Sequence, residues 1–441
     1  MPTLFLGNAD TDAMVTSPQS LSKRYRQFSA SASRRHLWMM SPGDAIILPS
    51  AGDQKHVEYI EEILQYNRGS LRALYVHGQS DDPYPLSFEN LKSDAILCAV
   101  KELGLHTNNW SIHPYIADQV AFDFGQLIDV PVSFGRSGTP ACEAAELFND
   151  KRVFRALAAG LHVPTAAGRT CSSLAQLTSA LAELTPLTGS SIVKLDRHSG
   201  AEGNVLITRD DISSAPGTHK VHRVIDQQEH TRAAQEVYSE LSREGTPFFI
   251  VESYHHSVHS VGVHYLLEAD SITLSGIADI RLAPAYSGMI WPTNLPETVA
   301  HRLLAEGQKL VGDIARFGHR GPISVDAIVS SDGEVLINEV NARHGGFTAA
   351  KAIIDKVAKK TRINTPIVAA TRTNLTSDMD FQSLRTLLER EELGFAHARG
   401  TGIIIPVEDL RNTGRIEILT IAASEAELEC IENRFMRLAC C

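Results

Sequence analysis

Apolar and polar positions along the chain alternate with two different periods. Residues 3–8, Thr-Leu-Phe-Leu-Gly-Asn, form a short apolar run that ends in a glycine turn, and 44–49 and 71–78 are two more. Runs this short, bounded by turn residues, read as buried strands. Between and after them the period lengthens. A helix begins near Ser87 and carries Leu91, Ala95, Cys98 and Leu103 on one stripe, with Gly104 as its stop. Strands alternating with helices predict an open α/β sheet over residues 1–140. Pro131, Gly135, Gly138 and Pro140 then mark a linker. Asn8, Asp10 and Asp12 close the first strand, the edge where open sheets bind ligands, although a solvated loop explains them more simply. No G-x-G-x-x-G follows that strand, so a dinucleotide site is not supported.

Further along, Asn149 or Asp150 caps a helix with the stripe Val153, Leu157 and Leu161, and Gly160 and Pro164 end it. Residues 190–208 predict a strand bearing Lys194, a loop of small residues over 198–204, and a second strand. A buried strand within 246–256 runs into Glu252, and Arg281 follows another. Helices are expected over 297–317, 349–360, 380–393 and 424–438, strands over 401–407 and 415–422, and a polar, threonine-rich segment over 364–377. The fold class is therefore α/β, or α+β overall. No repeat or low-complexity segment appears.

The richest stretch is 321–348. Two runs of β-branched and aliphatic residues flank Asp332-Gly333, a strong hairpin signal. A two-residue turn there pairs Ser331 with Glu334 and brings Asp326 directly opposite Glu339, in a non-hydrogen-bonded pair with closely spaced side chains. Asn341 points from the same face as Glu339, and Ile328 and Ile337 are expected on it too. Two carboxylates ~5 Å apart repel by about 3 kcal/mol at an effective dielectric of 20. A hard divalent cation between them removes that cost, and Mg²⁺ takes oxygen ligands that it shares with phosphates.

Composition narrows the class. The 441 residues carry a net charge of −11, which argues against an electrostatic nucleic-acid partner. The N-terminus lacks the form of a signal peptide, and no apolar run approaches the ~18 residues of a membrane helix, so a cytoplasmic protein with no membrane partner is expected. The six cysteines show no CxxC, and Cys98, Cys142 and Cys171 read as buried free thiols. His255, His256, His259 and His264 invite a transition-metal reading, but no third ligand is fixed on a common face.

Asp326, then Glu339-Val340-Asn341-Ala342-Arg343 with Gly-Gly just after, resembles the metal-binding signature of the ATP-grasp superfamily. The resemblance runs over roughly 140–360 through Lys151, Lys194 with its loop, Glu252 and Arg281. It implies an N-terminal open α/β domain (1–140, of the pre-ATP-grasp kind), an ATP-grasp region (141–360) with a small mobile lid at about 170–248, and a C-terminal α+β extension (361–441). It implies ATP held by Lys151, Lys194, Ser199, Gly200, Gly203 and Glu252. Two Mg²⁺ ions, replaceable by Mn²⁺, would sit on Asp326, Glu339 and Asn341, with Arg343 and Arg281 at the reacting groups. The loop has only Gly200 and Gly203 where many relatives are richer in glycine. The wording of the first 140 residues looks nearest to pheganomycin-type peptide ligases of natural-product (antibiotic) biosynthesis. The implied activity is an ADP-forming ligase that joins a small-molecule or peptide acid to an amine through an acyl phosphate, in a chain compatible with a homodimer. Alternatives on the same fold are a carboxylase or phosphotransferase, or a nucleotide-binding regulatory protein. No Met-Lys-Met biotinyl motif is present, which counts against a biotin-dependent carboxylase.

Overall fold

The computed structural model describes residues 1–9, 11–15, 22–77, 86–104, 109–135, 140–198, 200, 203–242, 248–361 and 367–440. The described residues form three sheets. The first contains β1 (Thr3–Leu6), β2 (Ala45–Ser50), β3 (Arg72–His77) and β4 (Ser111–Pro114). Its order is β3-β2-β1-β4, parallel throughout, as the alternation of strands and helices requires. The helix expected from Ser87 is two. A capping box on Ser87 starts Phe88–Leu91, and Ser93, in an extended conformation, starts Asp94–Glu102. The break changes the phase of the stripe, so Ile96 and Val100 are buried and Cys98 is exposed. Asn8 is a buried staple rather than a ligand group. Its amide donates to Ile116 O at 2.8 Å and to Asp118 Oδ1 at 3.1 Å, and its carbonyl accepts from Tyr115 N at 2.8 Å.

The second sheet, in the order β5-β9-β6-β7-β8, lies where the lid is expected. It comprises β5 (Gly168–Cys171), β6 (Ser190–Leu195), β7 (Val205–Thr208), β8 (Lys220–Arg223) and β9 (Phe249–Ser253). Two helices, Leu174–Thr188 and Gln227–Leu241, cover it and share a core that includes Leu181, Val193, Ala234 and Phe249.

The third sheet is the body, in the order β14-β13-β10-β11-β12-β15-β17-β16. It holds β10 (Ser257–Leu267), β11 (Ile272–Leu282), β12 (Tyr286–Trp291), β13 (Gly321–Ser330), β14 (Val335–Asn341), β15 (Val368–Thr376), β16 (Gly402–Asp409) and β17 (Arg415–Ala422). Residues after 361 continue the body sheet, because β15 pairs directly with β12. The polar segment expected at 364–377 becomes this strand. Its small Ala369, Ala370, Thr371 and Thr373 are all buried, and threonine is a good strand former wherever its hydroxyl is accommodated. One large apolar core joins the first domain to the C-terminal strands, with Trp38 and Ile60 packing among Phe381, Ile404 and Phe435. Around it Trp38 Nε1 donates to Pro406 O at 2.9 Å, and Arg35 donates from both Nε and Nη2 to the buried Glu417 carboxylate.

Candidate functional site

The hairpin of β13 and β14 does place Asp326 opposite Glu339, but by a different route from the one expected. Near the turn the register runs Val329 to Val335 and Ala327 to Ile337, one residue out of step with a two-residue turn. Gly333 adopts φ +83° and its N–H donates to Ser330 O at 3.0 Å, closing a longer loop over 331–333. A bulge at Asn338 then restores the register before Asp326. The same bulge turns Ile337 into the core, correcting its assignment to the acidic face, and points Asn338 at the cavity instead.

Asp326, Glu339 and Asn341 line a cavity of about 330 Å³ between the body, the five-stranded unit and the first domain. Asn341 Nδ2 donates to Asp326 Oδ2 at 2.9 Å and to Glu339 Oε1 at 3.4 Å. Lys151 Nζ lies 3.1 Å from Glu339 Oε2 and donates to His198 O, also at 3.1 Å. Burial and the facing Glu339 push the Asp326 carboxyl up. Burial would raise Glu339 as well, but Lys151, Lys194 and Arg343 together hold it well below the carboxylate range. Gly262 lies across the ladder from Asp326. A β-carbon there would come within 3.0 Å of His264 Nε2 and 3.1 Å of Asp326 Oδ1, so the bare backbone leaves both groups room.

A second charged cluster lies beside this one. Glu252, at the end of β9, is buried; Lys194 Nζ donates to its Oε2 at 2.7 Å and Arg155 to its Oε1. Burial opposes ionisation, but these two cations keep the carboxyl below its usual range. Arg343 donates to Asn149 Oδ1 and reaches the cavity from the exit of β14. Gly200 (φ +70°) lines the cavity, with open space where a side chain would stand; Gly203 (φ +82°) packs against Leu195 instead. Ser199 lies outside the described residues.

Arg281, too, is not brought to the site. Strand alternation sends Ile280 and Leu282 to the cavity and Arg281 to the opposite face. There its Nη1 bonds Glu432 Oε1 of the last helix at 2.8 Å. Histidines 255, 256, 259 and 264 do not converge; His264 alone stacks flat on Phe347, centroids 3.9 Å apart, at the cavity wall. Among the described residues no three His, Cys, Asp or Glu side chains are grouped to hold a metal. Two acids and an amide oxygen do suit a hard cation that completes its shell with phosphate and water.

Several residues of the cavity and of the charged cluster beside it were missed. Arg155 had a signal, because it lies four residues after Lys151 on the same helix face. Tyr25, Arg35, His264 and Tyr286 had none, since only the tertiary fold gathers them.

A model of the Pre ATP-grasp domain matches residues 33–130, and one of the PGM1 C-terminal domain matches 383–435. No curated protein matches the chain significantly. Among solved structures, the chain is similar to the ADP complex of purK, N5-carboxyaminoimidazole ribonucleotide synthetase. The identity is 11%, over 98% of this chain and 96% of that one, with a TM-score of 0.59. It is similar to the biotin carboxylase of Campylobacter jejuni in its β-γ-ATP complex (12% identity, 97% and 89% coverage, TM-score 0.61). It is also similar to the biotin carboxylase domain dimer of Hydrogenobacter thermophilus 2-oxoglutarate carboxylase, solved with MgADP, ADP and bicarbonate (13%, 99% and 90%, TM-score 0.59). At such identities the likeness establishes the architecture: the chain has the ATP-grasp fold, with a Pre ATP-grasp domain before it.

Proposed function

We propose that this protein is an ADP-forming carboxylate–amine ligase that makes a peptide bond, of the pheganomycin type used in natural-product biosynthesis. The observation that carries the reading is Asp326 opposite Glu339, with Asn341 bonded to both, in a cavity that also receives Lys151, Lys194 and Arg343. Asp326, Glu339 and Asn341 would hold one or two Mg²⁺ ions, or Mn²⁺, which neutralise charge on the ATP phosphates when bound. Lys151 and Lys194 already stand at the acids and at Glu252, so they can exchange those partners for phosphate oxygens without travelling far. Glu252 and the backbone of β9 face the nucleotide base. Arg343 meets charge that builds on the transferred phosphoryl group and the tetrahedral oxyanion. Arg281 has no part in this.

With the cations gathered at the phosphate end, the γ-phosphorus faces the acid. The carboxylate oxygen attacks it, ADP leaves, and the amine then displaces phosphate to form the amide. The acyl phosphate hydrolyses in water, so the five-stranded unit must shut over it. Among the described residues no helix is long and apolar enough to cross a membrane, which suits the cytoplasmic setting proposed here. The test is a panel of amino acids and short peptides as acids, each with hydroxylamine in place of the amine. Hydroxamate should accumulate in step with ADP. AMP and pyrophosphate would overturn the mechanism, and ADP without any acid would point to a phosphotransferase or an uncoupled ATPase.

A further inference from the structure

Arg343 stands in the short connection between the end of β14 at Asn341 and the helix Gly346–Thr361. A guanidinium on a loop is only as well placed as the loop itself, and phosphoryl transfer asks chiefly for placement. Asn149 fixes the near end of the connection: its Nδ2 donates to Ala342 O at 3.4 Å, and Arg343 donates to its Oδ1. The far end is held by the first domain. His344 N donates to Tyr115 O, just past β4, at 3.0 Å. His344 Nε2 lies 2.9 Å from Nε2 of His113 on β4, and its Nδ1 lies 3.3 Å from Thr348 Oγ1. Thr348 Oγ1 also accepts from Gly345 N at 3.0 Å and donates to Gly345 O at 2.8 Å. Gly346 passes so close to β12 that a β-carbon there would come within 2.7 Å of the Tyr286 hydroxyl.

These contacts set the direction of each proton. The single hydroxyl proton of Thr348 goes to Gly345 O, so His344 Nδ1 is the donor toward Thr348. Burial pushes His113 down to about 4 and His344 well below its ordinary value, so both rings are neutral near pH 7. A neutral imidazole carries one N–H. His344 therefore presents a bare Nε2, and His113 Nε2 carries the proton that meets it. The result is a one-way chain from His113 through His344 and Thr348 to Gly345, begun in the first domain and ended in the loop. His36 stands edge-on to His344 with centroids 4.9 Å apart, and Phe5 and Phe134 flank His113 at 5.0 and 4.9 Å. His344 is buried, so breaking the chain strands a polar atom away from water.

We infer that His344 and His113 are positioning residues: the chain they form locks residues 342–348 onto the first domain and so holds Arg343 against the phosphoryl group in transfer. This rests on the ligase reading for what Arg343 does, whereas the lock is a property of the loop and is measured separately.

His113→Phe keeps a flat ring between Phe5 and Phe134 and removes the first donor, while His113→Gln keeps an amide N–H at similar reach. In hydroxamate formation His113→Phe should lower kcat on the order of tenfold to a hundredfold with the KM for ATP unchanged, and His113→Gln should recover most of the loss. Amide exchange over 342–348 should rise in the Phe variant and stay as in the wild type in the Gln variant. Should His113→Phe not fold, Thr348→Val cuts the chain at its far end and should show the same split between kcat and KM. An unchanged kcat, a KM for ATP that rises in step with the loss, or a Gln variant no better than the Phe variant would overturn the assignment. If no acid supports turnover by the wild type, the ligase reading fails and exchange alone decides. A rise in the Phe variant only then keeps the lock, and any other pattern overturns it.

Discussion

The first domain meets the body through apolar side chains, with Trp38, Ile46 and Ile60 in one core with Phe381, Ile404 and Phe435. The five-stranded unit instead keeps a core of its own around Leu181, Val193 and Phe249. Its contacts at the cavity are polar: Lys151 N to Asp196 O at 2.9 Å, Lys151 Nζ to His198 O, and Arg197 Nη1 to Asp12 O at 3.0 Å. A buried apolar junction does not come apart without exposing area worth roughly 25 cal/mol per Å². A polar one can exchange partners with water or with a nucleotide at little net cost. The contrast predicts rigidity on one side of the site and movement on the other.

The largest expected effect lies where the two meet. Glu339→Ala should lower kcat/KM on the order of 10³-fold, as loss of a preorganised charge does. The melting temperature at neutral pH without Mg²⁺ should fall, because the ionised Glu339 is stabilised by Lys151, Lys194 and Arg343 and its loss leaves Lys151 without its carboxylate partner. Full activity in this variant would sink the metal assignment.

Next comes the rigid junction. Trp38 is fully buried and its indole N–H is bonded to Pro406 O, so Trp38→Ala should cost about 3–5 kcal/mol of stability. Thermal unfolding should then show the first domain and the C-terminal strands loosening together, with amide exchange rising at both β2 and β16. Exchange confined to the first domain alone would show that the shared core does not couple them.

The movable side should answer differently. Lys194→Ala leaves the core of the unit untouched and removes one of two cations at Glu252. The KM for ATP should rise and kcat should fall, each about tenfold or more, with little change in melting temperature. Limited proteolysis between 198 and 204 should slow when a non-hydrolysable ATP analogue and Mg²⁺ are present. Cleavage indifferent to nucleotide would mean that this unit does not close.

What could be read beforehand follows the same division. Lys151, Lys194, Glu252 and the Asp326/Glu339/Asn341 set lie on elements whose period or caps are written locally, and the cavity collects them. The route to Asp326 and Glu339 was misjudged at two points that cancel. The turn is one residue longer than expected, and a bulge at Asn338 compensates, which no alternation pattern reveals. Arg281 failed because a bulge after it and its place on the far face are tertiary facts, as is its partner Glu432. The strand of 368–376 was hidden by its small and polar side chains. They are buried only because the sheet continues past them on both sides.

The smallest effect is a matter of pH, and it acts on the rigid junction. His36 lies between the first domain and the body, with ring centroids 6.2 Å from Phe5, 5.1 Å from Tyr115 and 4.9 Å from His344. Burial, then the nearby His113 and Arg35, push it down to about 3, while Arg35 itself is balanced by Glu417. His113 is pushed down to about 4 by burial. In the unfolded chain these rings titrate near 6.5, so between that pH and about 3 the unfolded state binds more protons than the folded one. Stability is therefore complete above the unfolded value and is lost as pH falls through the window, by at most about 1.4 kcal/mol per pH unit for each ring. His36→Phe keeps a flat ring in the same aromatic setting and removes one proton site. Its melting temperature should fall less steeply than that of the parent between pH 6.5 and 4, and the two should differ little at pH 7.5. Parallel curves would show that His36 is protonated equally in both states, and the junction would then owe its acid sensitivity to other groups.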